Sequence, residues 1–407
     1  MRNVFNYKKI LHNTGQPIFA SFPSWSGVDA TNWNMMQTAI DQRLQIQQNS
    51  TIDSYSSINL NTSFSNGNDH VFGCLAPNNC IYYFPLTANK KILKINTNND
   101  THEFIGNNLS VGYSGCVLHP NGYIYAVPAN SGPYLRLDPS TDNVHTLINT
   151  STSGLGSSAG YNAFHAVLGP NNKIYSGKSS GVEVGSSDVY DVDLNQETYV
   201  SVPVPNPNVY GSIPRLRASY RILLSANNNL YQVSDVYHYF LSVINPSDNS
   251  FSYSANLGNG GTFWSSRTLN LVASYGNKLY IITNSNSGIN DAKLISYDVS
   301  NNSITNISSA EINISGTLAN GTFIPNGHIY FLSTKNTSRY YKLNVSTNQI
   351  TPVIATNVLT SGNPRVNSLK FAPNGKMYHV YGGKIHILNI TNAEYPSDFC
   401  MSRYFNC

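Results

Sequence analysis

The stretch His119-Pro120-Asn121-Gly122-Tyr123-Ile124-Tyr125 decides the fold, because versions of it occur seven times along the 407-residue chain. An Asn-Gly pair between two runs of strand-forming residues is a strong hairpin signal, since both residues tolerate positive φ. Every version ends on a tyrosine, and successive tyrosines are 43 to 56 residues apart. These repeat tyrosines are Tyr82, Tyr125, Tyr175, Tyr231, Tyr280, Tyr330 and Tyr378.

Each repeat can be divided into four short strands. In the second repeat they are residues 115–118, 123–127, 134–138 and 144–148, and the polar segment 139–143 forms the last turn. A strand-rich period of roughly 40–50 residues is typical of a propeller blade. The sequence therefore predicts an all-β fold, a seven-bladed β-propeller of four-stranded antiparallel blades.

The last repeat lacks a fourth strand, because only a short tail follows residues 384–389. Residues 49–58 resemble the outer strand and turn at 302–311, and they precede the first inner strand. We therefore predict that an N-terminal strand closes the ring, which would protect exposed sheet edges. The predicted propeller domain is 50–390, and 391–407 is a C-terminal tail.

Residues 1–49 form an N-terminal arm outside the repeats. Asp29 or Thr31 can cap a helix at about 32–48. One face of that helix would carry Trp33, Met36, Ile40 and Leu44. Two interpretations stay open. The helix packs against the propeller, or it attaches the protein to copies of itself or to a larger assembly.

The composition narrows the classes of partner. Charged residues make up 11% of the chain, far below the usual proportion of about a quarter. The net charge of +4 is not clustered into a stripe, so no nucleic-acid partner is predicted. No apolar run reaches the length of a signal peptide or a membrane span.

The five cysteines show no metal-ligand spacing. Cys74 and Cys116 lie near the ends of inner strands in adjacent repeats, and we expect buried thiols there. Cys400 and Cys407 could pair in an oxidising compartment.

The histidines and carboxylates that could act in catalysis are scattered along the sequence. His119, His328 and His379 lie in or beside hairpin turns at different offsets, so we expect them to be solvated and not to converge. Asp138, Asp193 and Asp298 follow third strands, where a short acceptor binds turn amides. No pair of facing carboxylates, as a glycosidase requires, can be named. We therefore predict no catalytic, cofactor-binding or metal residues and no cofactor, and the ligand-binding residues are not assigned.

Two aromatic stretches, 236–240 and 260–264, interrupt the fourth and fifth repeats. Their rings could stack on sugars beside Asn, Ser and Tyr side chains. Alternatively, they pack between blades.

The phrase Pro-Asn-Gly-x-Ile-Tyr is followed about a dozen residues later by an Ile-Asp/Asn-x-Ser/Thr-Thr-Asn turn. This pattern resembles a repeat class in proteins of bacteriophages, large DNA viruses and some bacteria. It is also distantly similar to the Pro-Asp-Gly-x-Ile-Trp repeats of virginiamycin-lyase-like and NHL-type propellers. The resemblance covers all seven repeats, and the ending 395–406 is similar to that of the viral members. The histidine and metal-binding carboxylates of the lyase-like propellers cannot be placed on this sequence.

Together with the separate N-terminal arm and the lack of a catalytic constellation in the sequence, the resemblance favours a non-enzymatic interaction module, a virion surface protein of spike or fibre type. Its expected partners are other virion or scaffold proteins, bound through residues 1–49, and a host-surface glycan or protein. The expected location is the virion surface, with the cytoplasm as the alternative. The rival hypothesis is a lyase or hydrolase that acts on a polysaccharide or lactone at the mouth of the channel.

Overall fold

Antiparallel strands form the regular secondary structure of the residues that the computed structural model describes, and no helix occurs among them. Those residues are 52–60, 70–129, 132–147, 166–178, 186–193, 196–203, 222–224, 227–233, 240–256, 267–285, 293–307, 321–324, 327–333, 339–353 and 369–390. The predicted helix at about 32–48, the tail 391–407, residues 236–239 and 260–264, and Cys400 and Cys407 lie outside them.

Within these ranges, 28 strands form seven four-stranded sheets. The chain begins with β1 (Ile52–Asn59). Sheet 1 contains β2 (His70–Leu75), β3 (Cys80–Pro85), β4 (Ile92–Asn96) and β5 (Thr101–Ile105). Sheet 2 contains β6 (Tyr113–Leu118), β7 (Ile124–Pro128), β8 (Leu135–Asp138) and β9 (Asn143–Thr146). Sheet 3 contains β10 (Ala166–Leu168), β11 (Ile174–Lys178), β12 (Ser186–Asp193) and β13 (Gln196–Pro203).

The later sheets follow the same order along the chain. Sheet 4 contains β14 (Ile222–Leu224), β15 (Leu230–Val233), β16 (Phe240–Asn245) and β17 (Ser250–Asn256). Sheet 5 contains β18 (Arg267–Tyr275), β19 (Lys278–Ser285), β20 (Lys293–Asp298) and β21 (Ser303–Asn306). Sheet 6 contains β22 (Gly321–Ile324), β23 (His328–Ser333), β24 (Arg339–Asn344) and β25 (Ile350–Pro352).

Sheet 7 joins the two ends of the repeat region. It contains β26 (Lys370–Phe371), β27 (Lys376–Tyr381) and β28 (Lys384–Ile390). Its fourth strand is β1, which pairs antiparallel with β28 from Ile52↔Ile390 to Asn59↔Lys384. The strand that the sequence predicts within 49–58 is therefore present, and it pairs with the last repeat.

Left-handed residues shape the hairpin turn between the first and second strands of each sheet. Six of them stand three residues before the repeat tyrosine, and Gly276 stands four before Tyr280. They are Asn79, Gly122, Asn172, Asn228, Gly276, Gly327 and Gly375, with φ between 55° and 90°. Asparagine replaces glycine in three turns because its short polar side chain tolerates this region.

The core lies between neighbouring sheets. Tyr83 of sheet 1 packs with Tyr378 and Ile385 of sheet 7 in one buried cluster, while Phe84 of sheet 1 packs with Leu118 of sheet 2 in another. The second strands β3 and β7 are buried along their whole length, whereas β21, a fourth strand, is exposed throughout. Burial of these apolar faces is the main favourable contribution to folding.

Candidate functional site

In five of the hairpin turns an asparagine binds both its own turn and the repeat tyrosine. Asn121 Oδ1 accepts a hydrogen bond from the backbone N–H of Tyr123 at 3.1 Å, and its Nδ2 donates to the Tyr125 hydroxyl at 2.9 Å. The same Nδ2–hydroxyl bond, 2.7–2.8 Å long, occurs in the pairs Asn78–Tyr82, Asn171–Tyr175, Asn227–Tyr231 and Asn374–Tyr378. The repeated phrase thus orients the tyrosine hydroxyl.

That hydroxyl bonds to the following sheet. Tyr82 donates to Asp142 Oδ1 at 2.8 Å, and Asn78 Nδ2 donates to the carbonyl oxygen of Pro139 at 2.7 Å. Asp142 lies in the turn between β8 and β9 with φ 59°, a conformation that aspartate and asparagine adopt readily. We call this pair of bonds from a hairpin turn to the next sheet a latch.

The latch recurs between sheets 3 and 4. Tyr175 donates to Asn249 Oδ1 at 2.8 Å, and Asn171 Nδ2 donates to the carbonyl oxygen of Pro246 at 2.7 Å. Asn249 has φ 57° and occupies the position of Asp142 in its own turn. An amide oxygen can therefore replace the carboxylate as the acceptor.

The latch also joins the last repeat to the first. Tyr378 of sheet 7 donates to Asp100 Oδ1 at 2.6 Å, and Asn374 Nδ2 donates to the carbonyl oxygen of Thr97. Both acceptors lie in the turn between β4 and β5 of sheet 1.

Two of the latches carry a charge pair. Lys94 Nζ lies 2.5 Å from Asp142 Oδ2 and 3.1 Å from Glu103 Oε1, and Lys376 Nζ lies 2.5 Å from Asp100 Oδ2. Burial raises the pKa of Tyr82 and of Tyr378, so both hydroxyls stay protonated and donate to the carboxylates. These carboxylates therefore act as structural acceptors.

The prediction for the aspartates after the third strands is confirmed where the structure describes their side chains. Asp138 Oδ1 accepts from the backbone N–H of Ser140 at 2.8 Å and from its hydroxyl at 2.7 Å. Asp298 binds Ser300 in the same way. The hydrogen bond from the Ser140 hydroxyl holds the pKa of Asp138 below its usual value. Asp193 ends β12, and its side chain is not described.

The expectation that the turn histidines are solvated is wrong. His119, His328 and His379 are at most 8% exposed. The His119 ring lies against the neighbouring turn, where Nε2 is 3.0 Å from the carbonyl oxygen of Asn172 in sheet 3. Sequence spacing missed the burial of His119 because the turn that covers it belongs to another repeat. The three histidines lie in sheets 2, 6 and 7 and, as expected, do not meet at one point.

His379 instead meets His386, which faces it across β27 and β28. We call Tyr55, Tyr340, His379, Tyr381 and His386 the histidine cluster. Tyr55 of β1 donates to His386 Nδ1 at 2.6 Å, and His386 Nε2 donates to the carbonyl oxygen of Tyr381 at 3.2 Å. The Tyr340 hydroxyl of sheet 6 and His379 Nδ1 are 2.8 Å apart, while His379 Nε2 has no hydrogen-bond partner among the residues that the structure describes.

Burial keeps both rings of this cluster neutral. It lowers the pKa of His386 to about 4, and it holds the pKa of His379 well below its usual value, with the nearby His386 adding to the effect. Because side chains alternate along a strand, His386 lies on the opposite face of β28 from Ile385 and Ile387. Nothing in the neighbouring sequence indicates that another part of the protein covers that face. Sequence reasoning therefore missed the cluster.

Three further polar groups lie on first strands. Cys74 of β2 and Cys116 of β6 are buried free thiols, as predicted. Hydrogen bonding to the Cys116 thiol, together with burial, raises the pKa of Cys74. Lys370 of β26 is only 5% exposed, and its charge acts on Cys74.

Within the described ranges, no three His, Cys, Asp or Glu side chains come together as potential metal ligands. No helix in those ranges has the length and apolar character needed to cross a bilayer.

No family model and no curated protein matches the chain, but solved structures do. Virginiamycin B lyase from Staphylococcus aureus matches with a TM-score of 0.58 at 14% identity, over 83% of this chain and 99% of the lyase. The Cps50 (Swd1) β-propeller domain of Myceliophteria thermophila matches with a TM-score of 0.55 at 10% identity, over 84% and 100% of the two chains. YCF48 bound to D1 peptide matches with a TM-score of 0.55 at 11% identity, over 83% and 98%.

The fold is a β-propeller. The distant relationship to propellers, including the virginiamycin-lyase type, is thereby confirmed for the fold. At 10 to 14% identity the likeness extends no further than the fold.

Proposed function

We propose that the seven sheets are the blades of one ring, closed by β1 in sheet 7, and that this ring is a non-enzymatic interaction module of a virion surface. The latch from Tyr378 to Asp100 supports the closed ring, because it joins the last repeat to the first. The bond between Tyr340 and His379 joins sheet 6 to the other side of sheet 7. Residues 50–390 then form a single domain.

The two ends of the propeller differ, and this difference carries the proposal. Because the strands are antiparallel, the hairpin turns and the turns before the fourth strands lie at one end, which we call the latched end. Connections between successive sheets lie at the opposite end, the loop end. Gly375 at the latched end is a left-handed turn residue, and its carbonyl oxygen accepts from the Ile390 N–H at 3.1 Å.

More chain is available at the loop end. There the chain leaves β9 at Thr146 and enters β10 at Ala166, and it leaves β13 at Pro203 and enters β14 at Ile222. Binding residues commonly lie on connections that a rigid scaffold positions. We infer that the loop end binds the ligand, while the latches hold the ring rigid.

The arm enters at the latched end. β1 is the outermost strand of sheet 7, and its first residue, Ile52, pairs with Ile390, which is bonded to the hairpin turn at Gly375. The chain therefore enters β1 at the rim of the ring, at the end away from the loops. In this arrangement the arm binds a neighbouring virion or scaffold protein, and the loop end faces a host-surface glycan or protein.

A propeller can bind a peptide, and YCF48 bound to D1 peptide is one example in this fold. The chain has little charge to steer a partner. Recognition would then rest on Asn, Ser, Thr and Tyr side chains, which suits the hydroxyls of a glycan or a polar protein surface.

Quantitative mass spectrometry of the native source, separated into purified particles, soluble protein and membranes, tests this function. We expect enrichment in particles at a copy number that matches a symmetry position. A variant that lacks residues 1–49 should fold but should not be incorporated into particles. A variant in which the connection 204–221 is shortened should be incorporated into particles but should lose ligand binding. Recovery of the native protein only in the soluble fraction would exclude the virion function.

An enzyme of polysaccharides or lactones is the second candidate, and Lys370 is the observation that favours it. This lysine is buried on a first strand, next to the channel that a propeller ring encloses. A substrate screen of the wild-type protein should then find an activity that Lys370→Met abolishes and that Lys91→Met, a change at an exposed lysine, retains. A metal assay of the purified protein would show whether a divalent ion takes part.

A further inference from the structure

Two imidazole rings of the histidine cluster connect the strands β27 and β28 to β1 and to sheet 6. His386 binds Tyr55, so it ties the closing strand β1 to β28 by a side-chain bond. His379 binds Tyr340, so it ties β27 to sheet 6. The two histidine rings are 5.8 Å apart between centroids, and both are at least 98% buried.

His379 has no acceptor for a second N–H, because its Nε2 has no hydrogen-bond partner among the described residues. His386 Nδ1 accepts the Tyr55 proton, so a protonated His386 would require the Tyr55 hydroxyl to turn from donor to acceptor. A protonated imidazole donates from both nitrogens. Protonation of His379 would therefore place an unpaired N–H in a buried site, and protonation of either ring would place a positive charge there, both of which are costly.

The surrounding side chains offer no compensation. Among the described residues, the titratable groups that face the two rings are Tyr55 from β1, Tyr340 from sheet 6 and Tyr381 from β27, together with Lys384 on β28. The tyrosines are neutral, and the lysine charge opposes protonation of His386. A proton on either histidine also disfavours a proton on the other.

We propose that the histidine cluster is an acid-sensitive clasp, which at neutral pH holds β1 and sheet 6 against sheet 7 and which releases β1 when its histidines are protonated. Protonation favours the release of β1 because a charged imidazole ring is stabilised by water, and water reaches the ring only when the strands that cover it separate. The residues before Ile52 would be freed with β1. These contacts lie within sheet 7 and between sheets 6 and 7, and they are independent of what the protein binds.

Hydrogen exchange of the full-length protein, measured by mass spectrometry at pH 7 and pH 4.5 and corrected for intrinsic rates, tests the clasp. We expect exchange at residues 52–59 to increase at least about tenfold at the lower pH, and exchange at β6 and β7 of sheet 2 to change less than about threefold. Acid loosening of the whole molecule to the same degree, or unchanged exchange in β1, would overturn the proposal.

Variants assign the effect to the cluster. The double variant His379→Phe/His386→Phe should lose the selective acid response, because phenylalanine fills a similar volume and cannot be protonated. His145→Gln is the matched control, since His145 is exposed on β9, and it should respond as the wild type does. A selective acid response that persists in the double variant would exclude the cluster as the cause.

A measurement on the wild type keeps the test independent of how the double variant folds. NMR of histidine-labelled protein reports the protonation midpoint of each ring. The midpoint of β1 release should coincide with that of His379 or His386. Release of β1 at a pH where both rings stay neutral would contradict the proposal.

Discussion

At the scale of single residues, the repeat tyrosine connects one sheet to the next through its hydroxyl. Tyr82 has an asparagine four residues before it and an aspartate in the next sheet, so its hydroxyl is bonded on both sides. Tyr280 has Gly276 four residues before it, and within the described part of the chain its buried hydroxyl has no hydrogen-bond partner. Tyrosines at equivalent positions of the repeat therefore differ, since the hydroxyl is hydrogen-bonded in sheet 1 and unpaired in sheet 5.

We predict that Tyr82→Phe lowers the free energy of unfolding by about 1–3 kcal/mol, because Asp142 loses a donor while it stays partly buried. Tyr280→Phe is the matched control. It removes a buried hydroxyl that has no partner in the described ranges, so it should leave the stability unchanged or raise it slightly. Urea denaturation of the two variants measures both effects. Equal destabilisation by the two substitutions would mean that the latch contributes nothing.

Substitutions of Asp142 show whether the charge or the oxygen acceptor of this residue stabilises the latch. Asp142→Asn keeps an oxygen acceptor and a residue that tolerates φ 59°, so it should cost less than about 1 kcal/mol, the value of a partly exposed ion pair with Lys94. Asp142→Ala loses the acceptor and strains the turn, so it should cost about 2–3 kcal/mol. Sheet 4 already has Asn249 at this position. A larger loss for the asparagine variant in urea denaturation would show that charge dominates.

At the scale of elements, β1 is the strand whose partner is most distant in sequence. It pairs with β28 along its length, and Leu60 N–H donates to the carbonyl oxygen of Gly383 at 2.8 Å beyond the strand end. Without β1, β28 becomes an exposed edge, and such edges promote association between molecules.

We predict that deletion of residues 1–49 leaves the melting temperature nearly unchanged, because β1 starts at Ile52. Deletion of residues 1–59 should lower it by on the order of 10 °C and promote aggregation, because the pairing with β28 is lost. Differential scanning calorimetry and light scattering measure both properties. A peptide of residues 50–60 added to the shorter variant should restore part of the stability. Identical melting of the two deletions would show that β1 contributes little.

At the scale of the whole molecule, the histidine cluster makes stability depend on pH. The pKa of His386 is about 4 in the folded state and about 6.5 in the unfolded chain, so below pH 6.5 the unfolded state binds a proton that the folded state does not. We therefore predict full stability above pH 6.5 and a loss of roughly 3 kcal/mol from His386 by pH 4. His379 acts in the same direction.

Urea denaturation between pH 7.5 and pH 4 measures this dependence. His386→Phe should flatten the curve between pH 6.5 and pH 4, although it also costs stability at every pH because Tyr55 loses its acceptor. His145→Gln should keep the wild-type slope. A slope that is the same in His386→Phe as in the wild type would exclude His386 as its source.

The sequence predicted the repeats, the antiparallel sheets and the strand at the N-terminal side of the propeller. These features depend on local chemistry. A left-handed Asn or Gly between two strand-forming runs specifies a hairpin wherever it occurs, and its repetition specifies a stack of similar sheets. Burial of Cys74 and Cys116 followed from the same periodicity.

The partners of the polar side chains were decided only by the tertiary structure. Tyr82 bonds to a residue 60 positions away, and Tyr55 bonds to His386, 331 positions away. His379 lies beside a turn and reads locally as a solvated residue, yet sheet 6 covers it. A sequence pattern records which face of a strand a side chain occupies, whereas burial and pairing depend on which distant sheet packs against that face.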